Sequence, residues 1–505
     1  MDLDDMASFC KKTGIIFQNS EIYGGLSGFW DYGPVGAQIK KNMVDLWWEE
    51  FVEKRDDVVG IDGSIISSSE VWKASGHVDS FSDPLVDCKK CKKRMRADRL
   101  IEEETGEKVE GEGPGKMDSI IEEKNISCPR CGGSLTDVRE FNLMFETNLG
   151  SVDSEENKAY LRPETAQLIF TNFKQVVDST RQKLPFGIAQ IGRAFRNEVS
   201  PRNFVFRTRE FGQMEIEYFV HPDNKKKCPF IDEEIRSYEL QVLTAEHQRG
   251  GEGHERMTIG ELVDGGYAET EWLAYWLYQH FNWFVKLGVD PKNLRLREHM
   301  EDELAHYAGS CFDIEYNFPF GWDEVYGNAD RGDYDLRRHQ EASGKKLGVY
   351  DQNKEEHVLP RVVSEPSQGI ERSLMVFLMD AYTVEDGRKF LELDPRLAPV
   401  KCRIFPLMPK DGLDQKAREI YSSLDDRINV EYEESGSIGK RYARADEIGV
   451  PYCITVDYDT LEDDTVTIRD RNSTDQIRVV IDELYDVLKD LVFGDKTFEE
   501  FLEES

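Results

Sequence analysis

A chain of 505 residues exceeds what one hydrophobic core organises and implies roughly two to four domains. With 39% hydrophobic residues and eight tryptophans it is globular, and a formal net charge of −35 excludes broad adhesion to nucleic acid, so any phosphate contact is confined to a local basic surface. The opening MDLDDMASFCKKTG lacks the basic-then-apolar pattern of a signal peptide, and no run of about 18 apolar residues occurs. A soluble cytoplasmic protein without membrane contact is expected, and its nine cysteines point to thiols and metal ligands over a disulfide framework.

From Asp31, DYGPVGAQIKKNMVDLWWEEFVEK puts Pro34 at a first helical position and sets Ile39, Met43, Leu46, Trp47 and Phe51 on one helical face. VVGIDGSIISS reads as a strand after it, and His77 as a structural residue. Cys88-Lys-Lys-Cys91 and Cys128-Pro-Arg-Cys131-Gly-Gly are two CxxC knuckles with 36 residues between them. Four thiolates complete a tetrahedral Zn²⁺ site and leave no open position, so a structural zinc is expected, with the glycine-rich acidic segment TGEKVEGEGPGKMD looping out. Within that segment GEGPGKM fails as a phosphate loop, being one residue short and carrying Met117 where the metal-binding hydroxyl belongs. KAYLRPETAQLIF reads as a strand broken at Pro163, then a helix with Glu164 in its first turn.

The stretch Arg181–Phe211 holds seven cations against two carboxylates. GIAQIGRAFRNE and FRTREFGQMEIEYF read as the strands of a hairpin joined through VSPRN, which would bring Arg196, Glu198, Arg209 and Phe211 together on one sheet face. An arginine fork, a basic loop and an aromatic face are what a nucleotide requires. Residues of about 222–300 read as an insertion with helical character, in which Trp272, Tyr275, Trp276 and Phe281 serve packing. Further on, Glu324 is a candidate magnesium or ATP ligand and Arg331 a candidate fork for a carboxylate. LPRVVSEPSQGIERSLMVFLMDAY reads as a strand, a Pro-Ser-Gln-Gly turn and a buried helix, with Gly369 letting a nucleotide close to the backbone and Arg372 on the adenine face opposite Phe211. From Pro395 strands and helices alternate as a separate α/β domain, with QIRVVIDELYDVLKDLV as its last helix and Lys440, Arg441 and Arg444 as a small basic face.

FRNE, RTREF and QMEIE resemble the second signature motif of class II aminoacyl-tRNA synthetases, in wording close to the glycyl-tRNA synthetases. The helix and strand from Asp31 into SSSEVWKASGH resemble the first motif, which lies at the family's dimer interface, and GIER with its helix resembles the third. GSIGKRYARADEIGVP resembles the anticodon-binding domain shared with the histidyl, threonyl and prolyl enzymes. The resemblance spans nearly the whole chain, which has no class I signature and no P-loop.

It implies an α/β (α+β) fold: an antiparallel-sheet catalytic domain with zinc-binding and helical insertions, plus a C-terminal α/β anticodon-binding domain. The implied division is 1–86 and 141–394 for the catalytic core, 87–140 for the zinc-binding insertion and 395–505 for the anticodon-binding domain. The implied activity is ATP-dependent ligation of glycine to tRNA(Gly) by a homodimer, with Mg²⁺ at the phosphates. The implied ATP residues are Arg196, Asn197, Glu198, Phe206, Arg207, Thr208, Arg209, Glu210, Phe211, Glu324, Val325, Gly369, Ile370, Glu371 and Arg372, with Arg196 and Arg372 catalytic. For glycine they are Arg96, Glu164, Phe211, Gln213, Glu215, Arg331, Glu365 and Ser367, and for tRNA Lys440, Arg441 and Arg444. A ligase for another small amino acid and a non-catalytic tRNA-binding relative are the competing expectations. Carboxylates suit glycine on both counts: they bind its ammonium group, and they form a wall that a larger side chain would desolvate.

Overall fold

The alternation in GIAQIGRAF and EFGQMEIEYFV folds into the expected hairpin. Phe186–Phe195 pairs antiparallel with Glu210–Val220, in unbroken register from Phe186 opposite Phe219 to Phe195 opposite Glu210. The structure, a computed structural model, describes residues 2–504 except 108, 110, 152, 153, 155, 156, 305–308, 353, 386 and 495. Two of these, 108 and 110, belong to the segment expected to loop out between the CxxC knuckles, and that part lies outside the described residues.

The hairpin sits near one end of a nine-stranded sheet. In spatial order the strands are Glu255–Thr258, Glu239–Leu243, Leu294–Glu298, Cys311–Phe318, Gly321–Ala329, Arg361–Gly369, Glu210–Val220, Phe186–Phe195 and Val58–Ile61. Strand period two sorts the side chains by face. Met214, Ile216 and Tyr218 enter a large core with Trp47 and Phe51 of the first long helix and with Trp276 and Phe281. On the opposite face Phe219 joins Phe170 and Phe173 of the Ala166–Thr180 helix, and Glu215 and Glu217 share that face by register.

Several expectations are corrected here. VVGIDGSIISS is two strands: Val58–Ile61 in the large sheet and Ile66–Ser68 in a three-stranded sheet. The chain turns at Gly63, whose N–H donates to Gln190 Oε1 at 3.0 Å and whose carbonyl accepts from Arg162 Nη1 at 2.7 Å. The 222–300 segment adds three strands to the large sheet, and its Glu271–Lys286 helix buries Trp272, Tyr275, Trp276 and Phe281 against it, the packing role expected of them. The Pro-Ser-Gln-Gly turn is instead the end of a strand running unbroken from Arg361 to Gly369. Pro366 is tolerated there because pairing with the neighbouring Glu210–Val220 strand skips residues 365 and 366, where proline has no N–H to give. Glu164 precedes its helix, which begins at Ala166.

The C-terminal region has its own core and a five-stranded sheet flanked by the helices Leu413–Leu424, Ile438–Glu447 and Leu484–Phe493. QIRVV is an edge strand of that sheet and not part of the last helix. Its β-branched residues alternate with polar ones, so Ile477 and Val479 point inward when it pairs with Thr465–Asp470. No helix among the described residues is long and apolar enough to cross a membrane.

One glycine shapes the ground beneath the site. A Cβ on Gly192 would lie 2.0 Å from Nη2 of Arg162, a buried arginine that also donates to Arg193 O at 2.6 Å. Gly192→Ala is expected to lower stability in urea unfolding by about 1–3 kcal/mol, and an unchanged midpoint would show that Arg162 is not held in this way.

Candidate active site

The hairpin's outgoing strand ends at Phe195, and Arg196 continues it with its Nε donating to Pro163 O at 3.0 Å and its guanidinium 5.2 Å from the Phe211 ring centre. Arg372 stands in the first turn of the Ile370–Ala381 helix, and its Nη1 lies 2.9 Å from both the carbonyl and the carboxylate of Glu324. These two arginines, nearly 180 residues apart in sequence, line one cavity of about 210 Å³. The ring beneath Arg372 is Phe206 at 4.4 Å and the ring beneath Arg196 is Phe211 at 5.2 Å, with Phe211 and Arg372 lining the same cavity. The loop after Ser200 doubles back through an Arg202–Arg207 bridge with Asn203 and Phe204 in left-handed backbone, and so brings Phe206 inward.

Glu198, Arg207, Thr208, Gln213, Ser367, Gly369 and Glu371 complete much of the wall. Glu198 receives Arg207 Nε at 2.8 Å, and Glu371 receives the Gly212 N–H at 2.6 Å and the Tyr32 hydroxyl at 2.9 Å. Asn197, Arg209 and Glu210 flank the cavity: the Asn197 N–H donates to Leu143 O, Arg209 to Ser27 O, and Glu210 lies 3.3 Å from Arg193. Val325 and Ile370 are buried behind it. A Cβ on Gly212 would lie 2.6 Å from Ile370 Cδ1, which is why the strand carries glycine there.

Gln213 and Ser367, themselves 3.3 Å apart, form the passage to an acidic niche. Ser367 pairs directly opposite Glu215 across the sheet, and Glu215 also accepts from Thr165 Oγ1. Glu365 receives Arg331 Nη1 at 2.6 Å. Arg331, expected as a fork for a carboxylate, presents that fork to Asp335, which takes Nε and Nη2 at 2.8 Å each. Glu164 lies 3.4 Å from His77 Nε2 and accepts from Gln167 at 3.0 Å. Arg96 does not enter the niche. It is drawn to Asp83 at 2.9 Å and Asp98 at 2.6 Å, on the wall of a neighbouring cavity that shares Arg196, Glu198 and Arg207 with the first.

The niche strains its acids in opposite directions. Burial works to raise Glu164, but the imidazole of His77 and the charge of Arg331 hold it below the usual carboxylate range. Burial, with Glu164 nearby, raises Glu215, and burial pushes Glu365 up to about 8 against the pull of Arg331. Glu217, which the sequence reading left out, is raised well above its ordinary value by burial and by Glu365. The signal that would have found it is in QMEIE, where residues two apart on a strand share a face. Asp335 was missed although it stands four residues after its partner Arg331, whereas nothing in the sequence links His77, read only as structural, to Glu164.

Away from this site, the four cysteines converge as expected. Cys88 and Cys131 Sγ lie 3.5 Å apart and Cys91 and Cys128 Sγ 3.7 Å apart, close to the edge of about 3.8 Å in a tetrahedron with Zn–S of about 2.3 Å. A Cβ on Gly133 would lie 3.0 Å from Cys88 Sγ, so the second knuckle requires its glycine. The Cys91 N–H, 3.4 Å from Cys88 Sγ, helps lower that thiol to about 6. In the C-terminal domain Lys440 and Arg444 of the expected basic face are exposed, whereas Arg441 is not part of it. Arg441 is buried, donating to the carbonyls of Pro406 and Leu407, and Arg444 is tied to Glu433 and the Ser435 carbonyl.

Residues 145–240 match the tRNA synthetase class II core domain (G, H, P, S and T), and residues 401–491 the anticodon binding domain. The glycine–tRNA ligase of Clostridium tetani is 47% identical over 502 residues, 97% of this chain and 98% of that protein. The chain belongs to the glycine–tRNA ligases. The enzyme of that name from Clostridium acetobutylicum is 45% identical over 97% of this chain and 98% of its own, and that of Acetivibrio thermocellus 45% over 95% and 96%. The class II core match of this glycine–tRNA ligase family member contains Glu164, the whole central hairpin and Glu215, and the anticodon-domain match contains Lys440 and Arg444.

Metal analysis of the purified chain is expected to find one zinc per chain at the four cysteines, and Cys128→Ser to lose it together with order in residues 87–140, read by protease sensitivity. A variant that keeps its zinc would refute the assignment.

Proposed function

We propose that this chain activates glycine with ATP and passes the glycyl group from the adenylate to the 3′-hydroxyl of the terminal ribose of tRNA(Gly). The observation that carries the reading is one cavity walled by Arg196 and Arg372, with a cluster of carboxylates reached through Ser367, which lines that cavity and pairs opposite Glu215.

Glycine's carboxylate oxygen attacks the α-phosphorus of ATP, and the bond to pyrophosphate breaks. The tRNA hydroxyl then attacks the glycyl carbonyl and AMP leaves. Neither step needs a protein nucleophile, so the residues act by position and charge. Arg196 meets the α-phosphate, while Arg372 meets the γ-phosphate and the adenine. A magnesium ion held at Glu324 neutralises phosphate charge when bound. The residues fit such a hard cation, because Asp313 Oδ1 and Glu324 Oε1 would each lie 3.5 Å from a Cβ on Gly327 and so converge on the gap that this glycine leaves.

Glycine's ammonium group faces Glu164, Glu215 and Glu365, with Ser367 beside it. Arg331 serves the substrate carboxylate, while Asp335 keeps the guanidinium plane in place. Arg96 stands outside this contact set. A substrate with a larger side chain would push apolar atoms against carboxylates and strip their solvation, so exclusion needs no editing domain.

The C-terminal domain takes the anticodon end of tRNA, with Lys440 on the exposed side of its helix. Two copies associate through the first motif. The side chains of Ile22 and Tyr23, 88% and 86% exposed on a loop whose base bonds to Arg209, support an apolar contact with a second copy. The nine cysteines, four in the zinc cluster and five as single thiols, support action in the cytoplasm.

In glycine-dependent ATP–pyrophosphate exchange, Arg196→Ala and Arg372→Ala are each expected to lower kcat/KM by about a hundredfold or more. Comparable exchange with alanine or serine would redirect the reading to another small amino acid, and unaltered aminoacylation by Arg372→Ala would favour a non-catalytic tRNA binder. Sedimentation is expected to give the mass of two chains, and a monomer at micromolar concentration would overturn the dimer.

A further inference from the structure

The proposed reaction makes no use of Glu217. Its side chain is fully buried, and neither carboxyl oxygen has a hydrogen-bond partner among the described residues. The other donor cluster on this sheet, His299, Cys311 and Asp313, is by contrast closed by its own pairs: His299 lies 2.7 Å and Arg297 3.7 Å from Asp313.

Oxygen atoms of Glu215, Glu217 and Glu365 all lie within 4.8 Å of one another. Glu215 faces Glu217 from its own strand, Glu365 from the neighbouring strand, and Arg331 and Asp335 from the opening of the Tyr334–Ser343 helix. Glu164, with His77 against it, and Arg162 act on the cluster through Glu215. His339 is turned to Gln167, which bridges Glu164 and Asp335. Five carboxylates thus meet two guanidinium groups in a space with little water. Such an excess of buried negative charge is relieved by keeping protons bound. A neutral carboxyl has an O–H to donate, and of the two carboxylates with an oxygen within 4.8 Å, Glu215 already accepts from Thr165, which leaves Glu365 as the candidate acceptor.

We propose that Glu217 and Glu365 share a proton across the wall of the niche and that the ammonium group of glycine displaces it to solvent on binding. The inference rests on the glycine reading given above. The balance is simple: one positive charge enters on glycine, whose own N–H bonds are unchanged, and one proton leaves the carboxyl pair. Glu217 is thereby a positioning residue, setting when Glu365 is charged and ready for the amine.

The sign follows from the raised values. With Glu365 pushed up to about 8 by burial and Glu217 raised by its own burial and by Glu365, the clustered pair holds a proton at neutral pH and competes with glycine. Raising the pH toward 8 weakens that competition, so the glycine KM falls by up to about tenfold per unit and then levels.

The experiment is calorimetric titration of the full-length protein with glycine at about pH 7 in two buffers of different ionisation enthalpy, with the pH dependence of glycine KM in pyrophosphate exchange. The wild type is expected to release close to one proton, and Glu217→Gln to release little and to lose the slope of KM with pH. Buffer-independent heat in the wild type would overturn the proposal without recourse to any variant, as would a Glu217→Gln profile that keeps the wild-type slope. No uptake of glycine by the wild type would instead overturn the glycine reading itself, so the two failures are distinguishable.

Discussion

Gln190, Glu215, Ser367, Gly327 and Asp313 pair directly opposite one another across five neighbouring strands. Directly opposed side chains in an antiparallel ladder share a face, so one row of hydrogen-bonded backbone carries polar groups from five segments to a single floor. A slip of one residue in any strand would send its carboxylate or amide into the apolar core on the other side. That core, with Met214, Ile216 and Tyr218 packed against Trp276 and Phe51, is what makes a slip costly and therefore what secures the site.

On this floor the protein places two opposite electrostatic problems side by side. The nucleotide cavity concentrates guanidinium groups held in place by carbonyls: Arg196 by Pro163, and Arg372 by Glu324 and Phe206. The adjoining niche concentrates carboxylates in excess of their cations. Each is unfavourable alone, and in the proposed function each is matched by its ligand, a polyphosphate in one and an ammonium group in the other. The strongly acidic remainder of the chain, at −35 overall, repels nucleic acid from most of the surface and leaves binding to such local features.

How much of this was legible in the sequence depended on the range of the interaction. The hairpin was readable because alternation and a Pro-Arg-Asn turn are local signals, and the four-cysteine cluster because CxxC spacing encodes its own geometry. QIRVV was misread as helix because apolar residues run on into IDELYDVLKDLV. Only pairing with Thr465–Asp470 makes it a strand. Arg441 was assigned to a surface because arginine usually lies there, yet it fills the domain interior and satisfies carbonyls of residues 406 and 407. Arg331 was recognised as a carboxylate partner, but the carboxylate it chiefly meets is Asp335, one helical turn on.

By itself the sequence determined the chemistry available: which segments are strands, which residues carry charge, where thiols come in pairs, and which family the motifs match. The tertiary structure alone decided the company each group keeps. It set Phe206 under Arg372, His77 against Glu164, and Glu217 beside two other carboxylates with no hydrogen-bond donor among the described residues. The reason is that spacing and periodicity act over a few residues, whereas burial and charge neutralisation are properties of a volume that distant segments enclose together.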